Sequence, residues 1–176
     1  MSEVDVEKVK SQLQQEFLEL VAIDSPSWGE AAMAVVIRKK LEALGFQVIE
    51  DKVHNLYGYL PGQLDKEPVL FSAHMDTVEP AKGKEAICED DGTIRSAGKA
   101  VLGADCLSGL VEILQGIRLV QQSGKEHRPV EVLISVAEEI YCQGASLFDF
   151  AQIKAKDSYV LDLTGPVGSA ARRAPS

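Results

Sequence analysis

Cysteine is scarce in this sequence, and long apolar runs are missing. Three cysteines occur among 176 residues, and no two of them form a C-x-x-C pair. An odd number of scattered cysteines argues against a disulfide framework and favours a reducing compartment. The apolar runs are too short to span a bilayer, and the charged segment 1–10 lacks the apolar core of a signal peptide. These features predict a soluble protein of the cytoplasm.

Positive charge is also in short supply. The chain has 18 lysines and arginines against 27 aspartates and glutamates, which gives a formal net charge of −9. An acidic surface repels phosphate groups, so the composition argues against nucleic-acid binding and against contact with an anionic membrane. Two origins of the excess acid stay open: a carboxylate cluster that a metal neutralises, or ordinary solubilising surface charge.

Apolar periodicity predicts one α/β domain over residues 1–176. Spacings of three and four predict helices over 4–23, over 30–44, from Cys106 onward and over 145–153. Apolar and β-branched runs predict strands over 46–49, 55–60, 69–73, 130–136 and 158–163, and a hairpin turned by Asp90-Asp91-Gly92. Because helices and strands alternate, we expect a three-layer α/β/α fold with a mixed, mostly parallel sheet. The composition of segment 165–176 is typical of a linker.

The stretch Val69–Thr77 joins a buried strand to polar groups at its end. His74 and Asp76 lie two residues apart, so on an extended chain their side chains point to the same side. A neutral imidazole is a common metal ligand, and a neighbouring carboxylate fixes its tautomer and orientation. The simpler alternative is a histidine at a strand end that bonds a nearby aspartate without any metal.

Further acids stand at other strand ends and turns of the predicted fold. Asp105 lies between a glycine loop and a helix start, Glu138 and Glu139 follow a strand, and Asp162 lies near the end of the last strand. Ligands of open α/β sheets gather outside the carboxyl ends of the strands, so we expect these acids to meet His74 there. The alternatives are a helix N-cap for Asp105, a solvated turn for the two glutamates and a turn-starting role for Asp162.

An imidazole combined with carboxylates fits zinc, cobalt or manganese better than calcium. Two metal ions that share a bridging carboxylate can acidify a water molecule and polarise a carbonyl group. A glutamate that is not fully engaged with metal can then act as the general base. The residue types therefore suit metal-assisted hydrolysis.

The ordered set of motifs resembles the M20 family of metallopeptidases, and more narrowly its tripeptidase (peptidase T-like) branch. The matching motifs are Ser72-Ala-His-Met-Asp-Thr77, Leu102-Gly-Ala-Asp105, Val136-Ala-Glu-Glu139 and Tyr159-Val-Leu-Asp162. The resemblance implies a zinc exopeptidase-like fold, of which this chain would be the N-terminal part of the catalytic domain, truncated before the lid domain. It also implies a short peptide as substrate and two zinc ions, with cobalt or manganese as substitutes.

The resemblance assigns a role to each candidate site residue. It implies four metal ligands: His74 and Asp162 on the first metal, Glu139 on the second, and Asp105 bridging the two. Glu138 corresponds to the general base, and Asp76 to the acid that orients His74. The peptide bond after the bridging aspartate is typically cis in this family.

The sequence departs from the family pattern at several points. The later histidine that completes the second metal site is missing, and His54 and His127 both precede strands, which predicts positions away from Glu139. Cys106 stands where the family commonly has Asp, and Leu163-Thr164 replaces a more usual acidic or small polar pair.

Two other functions stay open. One is a non-catalytic remnant that keeps the fold and at most one metal, through His74, Asp105 and Asp162. The other is a thiol-dependent role of Cys106, which either binds metal or is simply a small buried residue. If part of the sheet is uncovered, we also expect self-association through its edge.

Overall fold

A five-stranded mixed sheet is the centre of the computed structural model, which describes residues 5–163, 165–166 and 168–171. The helices are α1 (Val6–Val21), α2 (Ala31–Ala43), α3 (Ala104–Gln122) and α4 (Gln143–Ser146). The strands are β1 (Gln47–Glu50), β2 (Leu56–Leu60), β3 (Val69–His74), β4 (Ala86–Cys88), β5 (Ile94–Ser96), β6 (Val130–Ser135) and β7 (Asp157–Val160). The expected α/β fold is confirmed. Thr164 and part of the predicted linker lie outside the described residues.

The strand order of the main sheet is β1-β2-β6-β3-β7, and β4 with β5 forms a separate hairpin. β1 with β2 and β2 with β6 pair antiparallel, whereas β3 pairs parallel with both β6 and β7. The sheet is therefore mixed, as expected. Its pairings divide evenly between the two kinds, so the mostly parallel character that we expected applies only to the half around β3. In that half, the carboxyl ends of three strands face the same edge.

The two faces of the sheet are covered differently. Alternate residues of β2, β3 and β6 pack with all three long helices in one large core, which includes Leu56, Ala73 and Ile134. The other face buries a smaller cluster of Tyr57, Leu70, Leu133 and Phe148. Phe148 and Ile153, which lie on either side of a 3-10 turn at Phe150–Gln152, pack on this face. The predicted helix 145–153 is divided between α4 and this turn.

Local signals explain where the helices begin and end. Asp5 caps α1 by accepting a hydrogen bond from the Lys8 amide at 3.1 Å. Gly45 ends α2 with a φ of +88°, and its amide donates to the Glu42 carbonyl at 2.9 Å. Among the described residues, no helix has both the length and the apolar character that crossing a bilayer requires.

The edge strand β7 leaves its residues exposed, and within the described residues nothing pairs with its outer side. Val160 is 64% exposed, and Tyr159 stacks on Phe71 with ring centroids 5.8 Å apart. Unpaired backbone groups beside apolar side chains are a template for pairing with another chain. Self-association along β7 stays a prediction of this geometry.

We expect the chain to self-associate as its concentration rises, and we expect Val160→Lys to weaken this association because a lysine on an edge strand discourages pairing. Sedimentation velocity over a concentration series measures the effect. Val35→Lys is the matched control, since Val35 is an exposed valine on α2. A wild-type chain that stays monomeric, or an equal effect of both substitutions, would contradict the prediction.

Candidate metal site

The carboxyl ends of the parallel strands and the start of α3 bring three acids to the ring of His74, which ends β3 and is 2% exposed. Its Nε2 atom lies 3.2 Å from Asp105 Oδ1, 3.7 Å from Glu138 Oε2 and 3.8 Å from Asp162 Oδ1. The segments that follow β3, β6 and β7 thus meet at one rim, as predicted for strand ends in an open α/β sheet.

One compact group of ligand atoms stands out at this rim. His74, Asp105, Cys106 and Asp162 each offer an atom, and these atoms lie within 4.8 Å of one another. Glu139 does not belong to this group, although it was predicted to be a ligand. Burial raises the pKa of Glu139, and the charges of Asp105 and Glu138 raise it further, whereas His74 opposes the shift. Glu139 therefore interacts electrostatically with the residues of this group.

Asp105 owes its position to an irregular start of α3. Gly103 precedes the helix with a φ of +77° and without a side-chain cap, and the Asp105 carboxylate contacts His74 Nε2 at 3.2 Å. Asp105 and Cys106 have non-helical backbone angles, and the peptide bond between them is cis, as the family resemblance implies. The side chain of Asp105 is 65% exposed and free to reach a ligand beside His74.

Asp76 is the buried anion that holds this rim together. Its side chain is fully buried, and its Oδ1 atom lies 3.3 Å from His74 Nδ1. Burial opposes its ionisation, but hydrogen bonds from His74, Glu138 N, Ser27 and Glu139 N lower the pKa of Asp76 below its usual value. The carboxylate is therefore charged at neutral pH and satisfied by its neighbours.

The contacts of His74 fix its tautomer and leave room for a cation. The Asp76 carbonyl oxygen, 2.9 Å from Nδ1, can only accept a hydrogen bond, so Nδ1 carries the proton. The lone pair of Nε2 then faces three carboxylates, which is repulsive unless a cation lies between them. Burial lowers the pKa of His74, yet Asp76, Asp162 and Glu138 raise it to about 9. The donor set thus fits a proton or a metal ion.

Asp162 and Cys106 also have raised pKa values. Burial and the adjacent Asp105 raise the pKa of Asp162 to about 6. Burial also raises the pKa of the Cys106 thiol to about 12, and its Sγ atom donates to the Leu161 carbonyl at 2.7 Å. A thiol that stays protonated and donates a hydrogen bond is a poor nucleophile, which argues against the thiol-dependent alternative.

The remaining histidines lie apart from the ligand group. His54 bonds Glu50 through Nδ1 at 2.6 Å, in the turn between β1 and β2. His127 lies before β6, and its Nδ1 atom is 2.8 Å from the Arg128 carbonyl oxygen. Neither belongs to the metal-ligand group among the described residues.

Several supporting side chains escaped the sequence analysis. The hydroxyl of Ser27 donates to Asp76 at 2.7 Å, and Asn55 accepts from the Val136 amide at 3.0 Å. Glu30, at the start of α2, accepts from the Ala137 amide at 2.8 Å. Their local sequence indicated only helix ends and a strand start. The one signal was a polar residue at an element boundary.

Lys84 is a buried cation beneath the loops of the site. It is 3% exposed, and its Nζ atom donates to Ser25 at 3.2 Å and to Thr77 at 3.5 Å. A Cβ atom on Gly103 would come within 3.4 Å of this Nζ atom. Burial lowers the pKa of Lys84 to about 8, although Asp24 opposes the shift.

Comparison with known proteins links this geometry to peptidases. The family model described as "Peptidase family M28" matches residues 55–170, a range that includes every candidate site residue. The Bacillus subtilis protein YqjE is 34% identical over 175 residues, which cover 95% of this chain and 47% of that protein.

Two solved structures share the fold. The chain matches a tripeptidase from Staphylococcus aureus with a TM-score of 0.85 and 30% identity. It matches aminopeptidase PepT from Bacillus cereus with a TM-score of 0.84 and 37% identity. Each alignment covers 89% of this chain and 44% of the other. The chain therefore spans about half the length of these relatives.

The depressed pKa of Lys84 predicts how stability changes with pH. Between about pH 8 and pH 10.5 the unfolded lysine keeps a proton that the folded one releases. The free energy of unfolding of the wild type, relative to Lys84→Met, should therefore rise with pH by about 1.4 kcal/mol per unit in this window. Urea unfolding across the pH range measures it.

The exposed Lys82 provides the control for this measurement. Lys82→Met should follow the pH dependence of the wild type. A difference between wild type and Lys84→Met that stays flat from pH 8 to pH 10.5 would contradict a lowered lysine pKa.

Proposed function

Since this chain belongs to peptidase family M28, we propose that it carries most of the metal site of a metal-dependent peptidase that hydrolyses short peptides. The observation that carries the proposal is the Nε2 atom of buried His74, which faces Asp105, Glu138 and Asp162 within 3.8 Å. A ring nitrogen that faces three carboxylates needs a positive charge, and the match to a peptidase family favours a metal ion over a proton in that role. The finer M20 and tripeptidase predictions rest on sequence motifs and on the names of relatives. The cytoplasmic location likewise stays a prediction.

The contacts around His74 support Asp105 and Asp162 as proposed ligands, and the family resemblance adds Glu139. His74 and Asp162 would hold one zinc ion, Asp105 would bridge, and Glu139 would contribute to a second ion. Zinc bound there would supply a Lewis acid that acidifies water and polarises the peptide carbonyl. Asp76 would keep the Nδ1–H tautomer of His74 and thereby direct the Nε2 lone pair toward the cluster.

Glu138 is proposed as the general base. Its Oε2 atom lies 3.7 Å from His74 Nε2, whereas its Oε1 atom accepts from the Cys142 thiol at 3.3 Å. Oε2 thus faces the acids around His74, whereas Oε1 is occupied by the neutral thiol of Cys142. Oε2 would accept a proton from the attacking water and pass it to the leaving amine nitrogen.

A second candidate is a non-catalytic remnant with one metal. The compact ligand group, which contains His74, Asp105, Cys106 and Asp162 but not Glu139, favours this alternative. The number of metal ions bound per chain separates the two proposals.

We expect zinc to stabilise the metal-free chain, because a ligand that binds only the folded state adds about 2.7 kcal/mol at a hundred times its dissociation constant. Calorimetric titration after chelation gives affinity and stoichiometry, and thermal unfolding gives the stabilisation. His74→Ala should abolish both, whereas His127→Ala should change neither. Zinc binding that survives His74→Ala would contradict the proposed ligand set.

We expect hydrolysis of di- and tripeptides in the presence of zinc, cobalt or manganese. Glu138→Gln should lower kcat at least about a hundredfold, the usual contribution of a general base, while metal affinity stays near that of the wild type. Glu112→Gln, on the exposed side of α3, is the control. A metal-loaded wild type without turnover would support the remnant, and full activity of Glu138→Gln would exclude Glu138 as the base.

A further inference from the structure

We propose that Glu30 is a positioning residue, whose buried carboxylate holds the backbone turn that presents Glu138 and Glu139 to the metal cluster. This inference rests on the proposed function for those two glutamates. It assigns to Glu30 no contact with metal or substrate. Its effect runs through the amide of Ala137, which donates to Glu30 Oε1 at 2.8 Å.

The turn after β6 is held by side chains from distant segments. Four consecutive amides, from residues 136 to 139, each donate to a side-chain oxygen instead of a backbone carbonyl. The pairs are Val136 with Asn55 Oδ1 at 3.0 Å, Ala137 with Glu30 Oε1 at 2.8 Å, Glu138 with Asp76 Oδ1 at 3.0 Å, and Glu139 with Asp76 Oδ2 at 3.2 Å. No regular ladder sets this stretch, so its shape depends on these acceptors.

Ala137 is the residue of this turn that most needs support. Its φ is +51°, in the left-handed region that glycine prefers and alanine avoids. Such conformations cost on the order of 1–3 kcal/mol and persist only where the surroundings determine them. The Glu30 carboxylate accepts the hydrogen bond that the Ala137 amide donates, and it thereby supports this conformation.

The burial of Glu30 is unusual for its place in the chain. It lies directly before α2, where a glutamate commonly faces solvent, yet it is 2% exposed and makes no capping bond to the helix. Burial raises the pKa of Glu30, and the hydrogen bond from Ala137 opposes the shift. A buried carboxylate that serves neither its own helix nor the proposed chemistry calls for another role.

The segment that carries Glu30 is itself tied to the site. The Gly29 amide donates to the Pro26 carbonyl at 2.7 Å, and a Cβ on Gly29 would lie 2.8 Å from Pro26 Cγ. This tight turn places Ser27 and Glu30 together, and Ser27 donates to Asp76 at 2.7 Å. The turn therefore carries Glu30, which accepts from Ala137, and contacts Asp76, which accepts from Glu138 and Glu139.

The contact with Ala137 needs an acceptor oxygen, which an amide side chain also offers. Glu30→Gln should therefore keep most of the function, whereas Glu30→Ala leaves the amide without its partner. Loss of a residue that orients a metal ligand typically weakens metal affinity by about 10–100-fold. Glu131 is the matched control, because it is also a buried glutamate that accepts two amides, from Lys154 and Ala155 at 3.0 Å each, near the other end of β6.

The experiment has two arms on the 176-residue chain. Without metal, NMR hydrogen exchange measures the protection of the Ala137 amide. With cobalt, titration gives the affinity, and the visible absorption bands report the coordination geometry. Glu30→Ala should lose Ala137 protection, weaken cobalt binding about tenfold or more and alter the absorption bands. Glu30→Gln should restore all three, and Glu131→Ala should lower thermal stability without changing them.

Three results would overturn the inference. They are unchanged Ala137 exchange in Glu30→Ala, cobalt affinity of Glu30→Ala within about twofold of the wild type, and equal loss of affinity in Glu131→Ala. A wild type that binds no cobalt would instead overturn the proposed function and with it the link from Glu30 to metal. In that case hydrogen exchange of the Ala137 amide, measured without metal, still decides whether Glu30 holds the turn.

Discussion

The fully buried carboxylate of Asp76 is the constraint on which the rest of the site depends. Taking an anion out of water is costly unless its oxygens are satisfied, and here the ring of His74, the hydroxyl of Ser27 and two backbone amides satisfy them. These donors come from the ends of β3 and β6 and from the turn after α1. Satisfying one charge therefore fixes three loops relative to each other, and it also sets the tautomer of the ring.

The parallel half of the sheet explains why acids distant in sequence meet. β3 pairs with β6 and β7 in parallel, so the segments that follow them leave on the same side. Burial and the adjacent Asp105 raise the pKa of Asp162 to about 6. Although burial opposes the shift, the negative charges of Asp76, Asp162 and Glu138 raise the pKa of His74 to about 9. Such shifts are typical of functional sites, and here they indicate a place where positive charge is needed.

Much of the fold was predictable, because its signals are local. The periodicity of α1 and α2, the alternation of strands and helices and the turn at Asp90-Asp91-Gly92 all appear in the structure. The meeting of His74 with Asp162 was predictable from strand ends, whereas Asp105 lies at a helix start, where its sequence also allowed a capping role. Local signals also limit prediction, because a sequence that suits a helix cap does not reveal that the Asp105 carboxylate contacts His74 Nε2 at 3.2 Å.

The supporting residues could not be predicted for a physical reason. Glu30 and Ala137 are 107 positions apart, and no local pattern encodes a hydrogen bond over that separation. Asn55 and Lys84 are similar cases, since each is polar and buried and has a partner far along the chain: Asn55 accepts from the Val136 amide, and Lys84 donates to Ser25. Their place near the site follows from tertiary packing, and their burial is what distinguishes them from ordinary surface residues.

Anomalous diffraction at the zinc edge, from crystals of the chain grown with zinc, tests the central claim most directly. If His74, Asp105 and Asp162 form a metal site, the anomalous map should show a peak about 2.0–2.1 Å from His74 Nε2, with oxygens of both aspartates at about 2.0–2.2 Å. A map in which zinc binds only at other places, with His74 Nε2 lacking a metal, would contradict the account.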